Sequence, residues 1–124
     1  MADFDKQKAA DWIIENAVPK YGVGKCATHV RQALEAGGMN TSGHPRDAKD
    51  WGPTLTRNGY ALTDSKVPEL GDIAVFEGLD AKNAAGHIEY YDGKHWTSDF
   101  IQDGFWPGTK WEKAKIAYKI YRLP

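Results

Sequence analysis

With one cysteine, Cys26, this chain cannot close an intramolecular disulfide. Its fold must rest on packing and hydrogen bonds, and the thiol is either a small buried hydrophobe or a reactive group. An excess of either charge is also missing: 16 Lys and Arg stand against 17 Asp and Glu, for a formal net charge of −1. Nucleic-acid binders carry a basic excess because their affinity comes from neutralising phosphates, so no nucleic-acid partner is expected. The mildly basic stretch bearing Lys110, Lys113, Lys115, Lys119 and Arg122 reads as a solvated strand face. No apolar run is long enough to span a bilayer, which argues against membrane insertion. The opening residues Met1 to Lys6 lack the basic-then-apolar pattern of a signal peptide. Synthesis in the cytoplasm without a cleavable signal is therefore expected. One cysteine and four dispersed histidines lack metal-ligand spacing, so neither a metal nor another cofactor is predicted.

What is present fits one soluble globular domain over residues 1–124, with 41% hydrophobic and 27% charged residues. Thirteen glycines and six prolines imply many turns and argue against an all-helical bundle. Ala9, Ala10, Ile13, Ile14 and Ala17 recur on one face of a 3.6-residue period, predicting a helix over about 5–17, stopped by Pro19 and Gly22. After the Gly-rich loop 21–25, Val30, Ala33 and Leu34 predict a second helix over 26–36, ended by Gly37-Gly38. A short helical stretch is expected between 46 and 55. Strands are predicted at 72–76 and 86–91, with a return over 94–100 after the Asp92-Gly93 turn, and a last one over about 114–121. Helices first and antiparallel strands second is the α+β order.

The chemistry begins with Cys26, placed in the first turn of a helix. The thiolate is the reactive form of cysteine, and the unpaired N–H groups and dipole of a helix start favour an anion there. A thiol nucleophile needs a base. His29 lies along the same helix, His44 sits in a polar loop, and His95 follows the hairpin turn and reads as exposed. His87 opens a strand, which can hold its ring rigidly over a cleft. A base in turn needs an acceptor for its other ring N–H. A two-residue hairpin loop would set Ser98 opposite His87, and a three-residue loop or bulge would set Asp99 there. Glu89 is the rival on His87's own strand face. Asp99 is favoured.

Three segments taken in order, Cys26 to Leu34, Pro68 to Phe76 and Gly86 to Tyr91, resemble the CHAP and NlpC/P60 superfamily of papain-like peptidoglycan amidases and endopeptidases. The resemblance implies an α+β, papain-like fold with N-terminal helices packed on an antiparallel β-sheet. It implies Cys26 as nucleophile, His87 as base and Asp99 as the third polar residue, with Tyr21, Trp51 and Trp106 as candidates to line the substrate cleft. Lys25-Cys26-Ala27, where many NlpC/P60 members have Asp-Cys-Ser, places the chain nearer CHAP or divergent amidases such as type VI secretion effectors. The activity implied is hydrolysis of an amide in the peptidoglycan stem peptide, in the periplasm or wall of a target cell, with an inhibitory immunity protein as partner. A phage lysis enzyme fits the same features. The alternatives are a catalytically inactive papain-like module that binds cell wall or a protein partner, and a cysteine protease acting on protein.

Overall fold

Residues 4–18 and 24–124 are described by the structure, a computed structural model. Asp5 caps the first helix, α1 (Lys6–Asn16): its carboxylate accepts from Lys8 N at 3.0 Å, satisfying a donor that has no partner inside the helix. The expected stops at Pro19 and Gly22, and most of the Gly-rich loop, lie outside the described residues. Helix α2 (Cys26–Ala36) has the predicted bounds. The two helices meet through Ala9, Ala10 and Ile13 of one and Val30, Ala33 and Leu34 of the other, all fully buried. Small side chains at that seam let the backbones approach closely.

A 3₁₀ turn (Ala48–Asp50) and the short α3 (Gly52–Arg57) follow, where one helical stretch was expected. Five strands then form one antiparallel sheet: β1 (Ala61–Thr63), β2 (Ile73–Phe76), β3 (His87–Tyr91), β4 (Trp96–Thr97) and β5 (Tyr118–Arg122). Their order is β1-β5-β2-β3-β4. The architecture is thus α+β, with N-terminal helices packed on an antiparallel sheet. Residue alternation splits the apolar side chains between the two sheet faces. Ile73, Val75, Ile88 and Tyr90 meet the helices in the main core, which also holds Trp51 and Leu55. Ala74, Phe76 and Trp96 pack on the opposite face beneath Trp111 and the half-buried Phe105 and Trp106.

Three expectations change. Strand β1 and helix α4 (Thr109–Ala114) were not anticipated; the last strand begins at Tyr118 because Ala114 ends α4, which closes on Lys115 in the left-handed region. The return strand is only two residues long. Asp92 sets this: Oδ1 accepts from Lys94 N and His95 N at 2.8 Å, and Oδ2 from Thr97 Oγ1 at 2.7 Å. The hairpin loop becomes Gly93-Lys94, closed by Asp92 N donating to His95 O at 3.0 Å. Beyond Thr97 the chain folds back on itself. Ser98 N donates to Phe100 O at 2.9 Å, Thr97 bridges Ile101, and Gln102 N donates to Trp96 O at 3.0 Å. That fold-back decides what sits beside His87.

Candidate active site

Cys26 is the first residue of α2, half-buried, behind an N-cap residue, Lys25, that makes no side-chain capping bond. The Lys25 side chain thus leaves the N–H groups of the first helical turn free of its own cap, and the positive end of the helix dipole lies at the thiol. The approach to this turn is pinned by Asp99, whose Oδ2 accepts from Lys25 N at 3.0 Å and whose carbonyl accepts from Val18 N at 2.7 Å.

His87 opens β3 opposite Phe76 on β2. Gly86 before it has φ +80°, and a side chain there would collide with the Phe76 carbonyl and with Lys49. Only glycine lets the chain enter the strand so close to its neighbour. The imidazole is 7% exposed and stands edge-on to Phe76, with Trp111 at 5.9 Å between ring centres. Its Nε2 faces two oxygens, Gln102 Oε1 at 2.9 Å and Glu89 Oε1 at 3.2 Å. Gln102 Oε1 can only accept, because the amide nitrogen is committed elsewhere: Gln102 Nε2 donates to Glu89 Oε1 at 2.9 Å, Gly104 O at 3.1 Å and Phe105 O at 3.3 Å. Nε2 therefore carries a proton, and the Cys26 thiol is close enough to act on the same imidazole.

Burial of the imidazole works against its charge, but the Cys26 and Glu89 hydrogen bonds and charges prevail and raise its pKa to about 10. Glu89 is fully buried, and burial raises its pKa to about 7 against the pull of His87 and Gln102. Its Oε2 meets no hydrogen-bond donor among the described residues, which further disfavours the ionised form. Together the pair retains a proton that a free histidine would lose near neutrality.

Cys26 and His87 open on one cleft of about 500 Å³, whose walls include Asp99, Phe100, Pro107 and Trp111 and whose rim carries the exposed Lys82 and Asn83. A thiol at a helix start and a buried imidazole on one open cleft are groups of the kind that support nucleophilic acyl transfer. Among the described residues no cluster of three or more His, Cys, Asp or Glu could hold a metal ion. No helix among them is long and apolar enough to cross a membrane.

Other expected site residues are placed differently. The orienting contacts foreseen for Asp99 come instead from Gln102 and Glu89, because the fold-back after Thr97 turns Asp99 toward Lys25 and brings Gln102 under the imidazole. Trp51 is 0% exposed in the main core, stacked on His44 at 5.7 Å, and cannot touch a ligand. Trp106 lines a neighbouring cleft that shares Phe100 and Pro107 with the Cys26 cleft. Tyr21 lies outside the described residues. Of the other histidines, His29 stands edge-on to Trp12, and His44 and His95 are exposed. Gln102 and Trp111 are the site residues that sequence reasoning missed. No motif marks either one; a hairpin loop placed at Gly93-Lys94 would have moved attention beyond Asp99.

No protein-family model matches the chain, and no curated protein does. Solved structures do. A chain of the type VI native effector–immunity complex Tae3–Tai3 from Ralstonia pickettii superposes with a TM-score of 0.89 at 39% identity, covering 98% of this chain and 100% of that one. The selenomethionine form of the Tae3–Tai3 complex gives a TM-score of 0.83 at 40% identity, covering 92% and 98%.

Proposed function

The chain belongs to the Tae3 family of type VI effectors, and from that premise we propose that it is an antibacterial cysteine hydrolase cutting an amide of the peptidoglycan stem peptide. Cys26 is the nucleophile and His87 the general base, in the papain-like manner of the CHAP and NlpC/P60 enzymes. One observation carries the reading: a thiol at a helix start meets a histidine whose far nitrogen is held by two acceptors, at an open cleft.

In the reaction, the Cys26 sulfur attacks the carbonyl carbon as a thiolate, its proton already held on the His87 imidazolium. The backbone N–H groups at the start of α2 hold the oxygen that becomes negative. His87 then gives its proton to the leaving amine as the C–N bond breaks. A water, deprotonated by the same imidazole, attacks the thioester and releases the acid and the free thiol. Through these steps Glu89 and Gln102 keep Nε2 protonated and the ring in place. Lys25, held by Asp99, sets the position of the helix start. On this reading the enzyme acts in the wall of a target cell. A cognate immunity protein is implied as well, since the related Tae3 is solved in complex with Tai3.

Incubation with purified sacculi, followed by mass analysis of the released muropeptides, tests the proposal. Wild type is expected to release peptide and Cys26→Ala none. Equal release by the two proteins sinks the hydrolase reading.

A further inference from the structure

We propose that the sheet face bearing His87 carries a second binding site, a groove for the glycan strand to which the stem peptide is attached. This deepens the reading above and rests on it. The groove has a volume of about 730 Å³ and lies on the sheet face opposite α1 and α2, lined from β1 and β5 to Trp96 of β4. That size is within the ~300–1,000 Å³ of typical small-ligand sites.

Three features define its ligand. Its floor is aromatic and apolar, with Trp96, Phe105, Tyr118 and Ile120, and Tyr118 is 38% exposed. Ring faces of this kind stack on the C–H faces of pyranoses. Asp64, Ser65 and Lys119 surround that floor with donors and acceptors of both signs, a setting for a hydroxyl- and acetamido-bearing chain rather than a strongly charged one. Finally, the groove is in register with the reactive histidine: Phe76 pairs with His87 on one side and with Tyr118 on the other. Tyr118 therefore stands on the same sheet face as His87, two strand spacings away, about 10 Å between backbones.

Phe105 lines both the groove and the cleft beside Trp106, and that cleft shares Phe100 and Pro107 with the Cys26 cleft. A glycan seated on Tyr118 can thus present its peptide around the Phe100-to-Pro107 segment to Cys26.

The test uses the full chain with Cys26→Ala, titrated with the β-1,4-linked tetramer of N-acetylglucosamine and followed by two-dimensional NMR. Shifts are expected at the Trp96 indole, Tyr118 and Lys119. Adding Tyr118→Ala should weaken binding about tenfold. Leu62→Glu, at a groove-lining position 60% exposed and free of the ring contacts of Tyr118, should weaken it as well. In the active protein, Tyr118→Ala should lower the ratio of cleavage of intact sacculi to cleavage of a sugar-free stem peptide, again about tenfold. Absence of shifts at millimolar tetramer, shifts confined to the Cys26 cleft, or an unchanged ratio overturns the groove. Loss of immunity-protein binding in Tyr118→Ala without any sugar-induced shift overturns it too, in favour of a protein interface. Failure of the hydrolase reading is a separate outcome, visible as intact stem peptide with wild type.

Discussion

Replacing Gln102 by leucine removes the hub of the buried network while keeping an apolar side chain of similar length. Gln102 is 2% exposed and makes five contacts. It accepts from His87 Nε2 at 2.9 Å and Ser98 Oγ at 3.3 Å, and it donates to Glu89 Oε1 at 2.9 Å, Gly104 O at 3.1 Å and Phe105 O at 3.3 Å. A net hydrogen bond stabilises by about 0.5–1.5 kcal/mol, and the two longest of these belong at the low end. The sum is about 3–4 kcal/mol, a large share of a domain stability of ~5–15 kcal/mol, so the variant should fold with a Tm lower by roughly 10–15 °C. The effect on chemistry is smaller than loss of the base. Glu89 Oε1, 3.2 Å from Nε2, still accepts the proton and fixes the tautomer. Turnover should fall about 10- to 100-fold with little change in KM, whereas His87→Ala should lose the ~10²–10⁴-fold contribution of a general base or more. Alkylation of Cys26 by iodoacetamide across pH reads the same pairing without any substrate. Because either acceptor alone can hold the imidazole, Glu89→Leu with Gln102→Leu should cost more than the sum of the two singles. A folded Gln102→Leu with wild-type turnover, or a double variant that is merely additive, refutes the shared-orienter reasoning.

Asp99→Ala separates the two candidate orienters. It removes the bond to Lys25 N, costing about 1–3 kcal/mol for a charged acceptor, and should lower turnover less than Gln102→Leu does. The reverse ranking would return the orienting role to Asp99. Stability should fall as pH rises. Glu89 is raised from 4.5 to about 7 and His87 from 6.5 to about 10, so the native state binds more protons than the unfolded chain throughout that span. The pair's contribution is full below about pH 4.5 and lost by about pH 10, with a slope of up to ~1.4 kcal/mol per pH unit per proton. Denaturant titrations between pH 5.5 and 9.5 check this, and a slope unchanged in His87→Gln above pH 7 would contradict it. Gly86→Ala forces a side chain into the left-handed region and against the Phe76 carbonyl. A loss of about 2–4 kcal/mol is expected, with slower alkylation of Cys26; wild-type values for both would show that the entry to β3 is not constrained.

Those predictions turn on features of unequal legibility in the sequence. Helix α2 could be read to the residue, since Val30, Ala33 and Leu34 mark one face and Gly37-Gly38 ends it, so the thiol's place at a helix start needed no tertiary information. His87 was singled out among the histidines for a similar reason, because the run after Gly86 is an apolar-rich strand that meets β2 in register. Trp51 was not legible. A tryptophan suits a core as well as a cleft wall, and only the packing of the 3₁₀ turn and α3 under the sheet buries it. The surroundings of the imidazole were hard to read for a different reason. Extending the hairpin as regular strand assumed that Asp92-Gly93 formed the loop, yet Asp92 spends its carboxylate on Lys94, His95 and Thr97 and displaces the loop by one residue. The ladder then ends at Thr97, and the chain doubles back so that residue 102, not 99, lies under the imidazole. Side-chain capping of a turn is a local interaction worth about a hydrogen bond or two, but here it chooses which polar residue completes the site. The orienting residue of such a site therefore follows the geometry of its loop rather than a position counted along a strand, and relatives with a different turn residue at position 92 should place a different side chain beside the histidine.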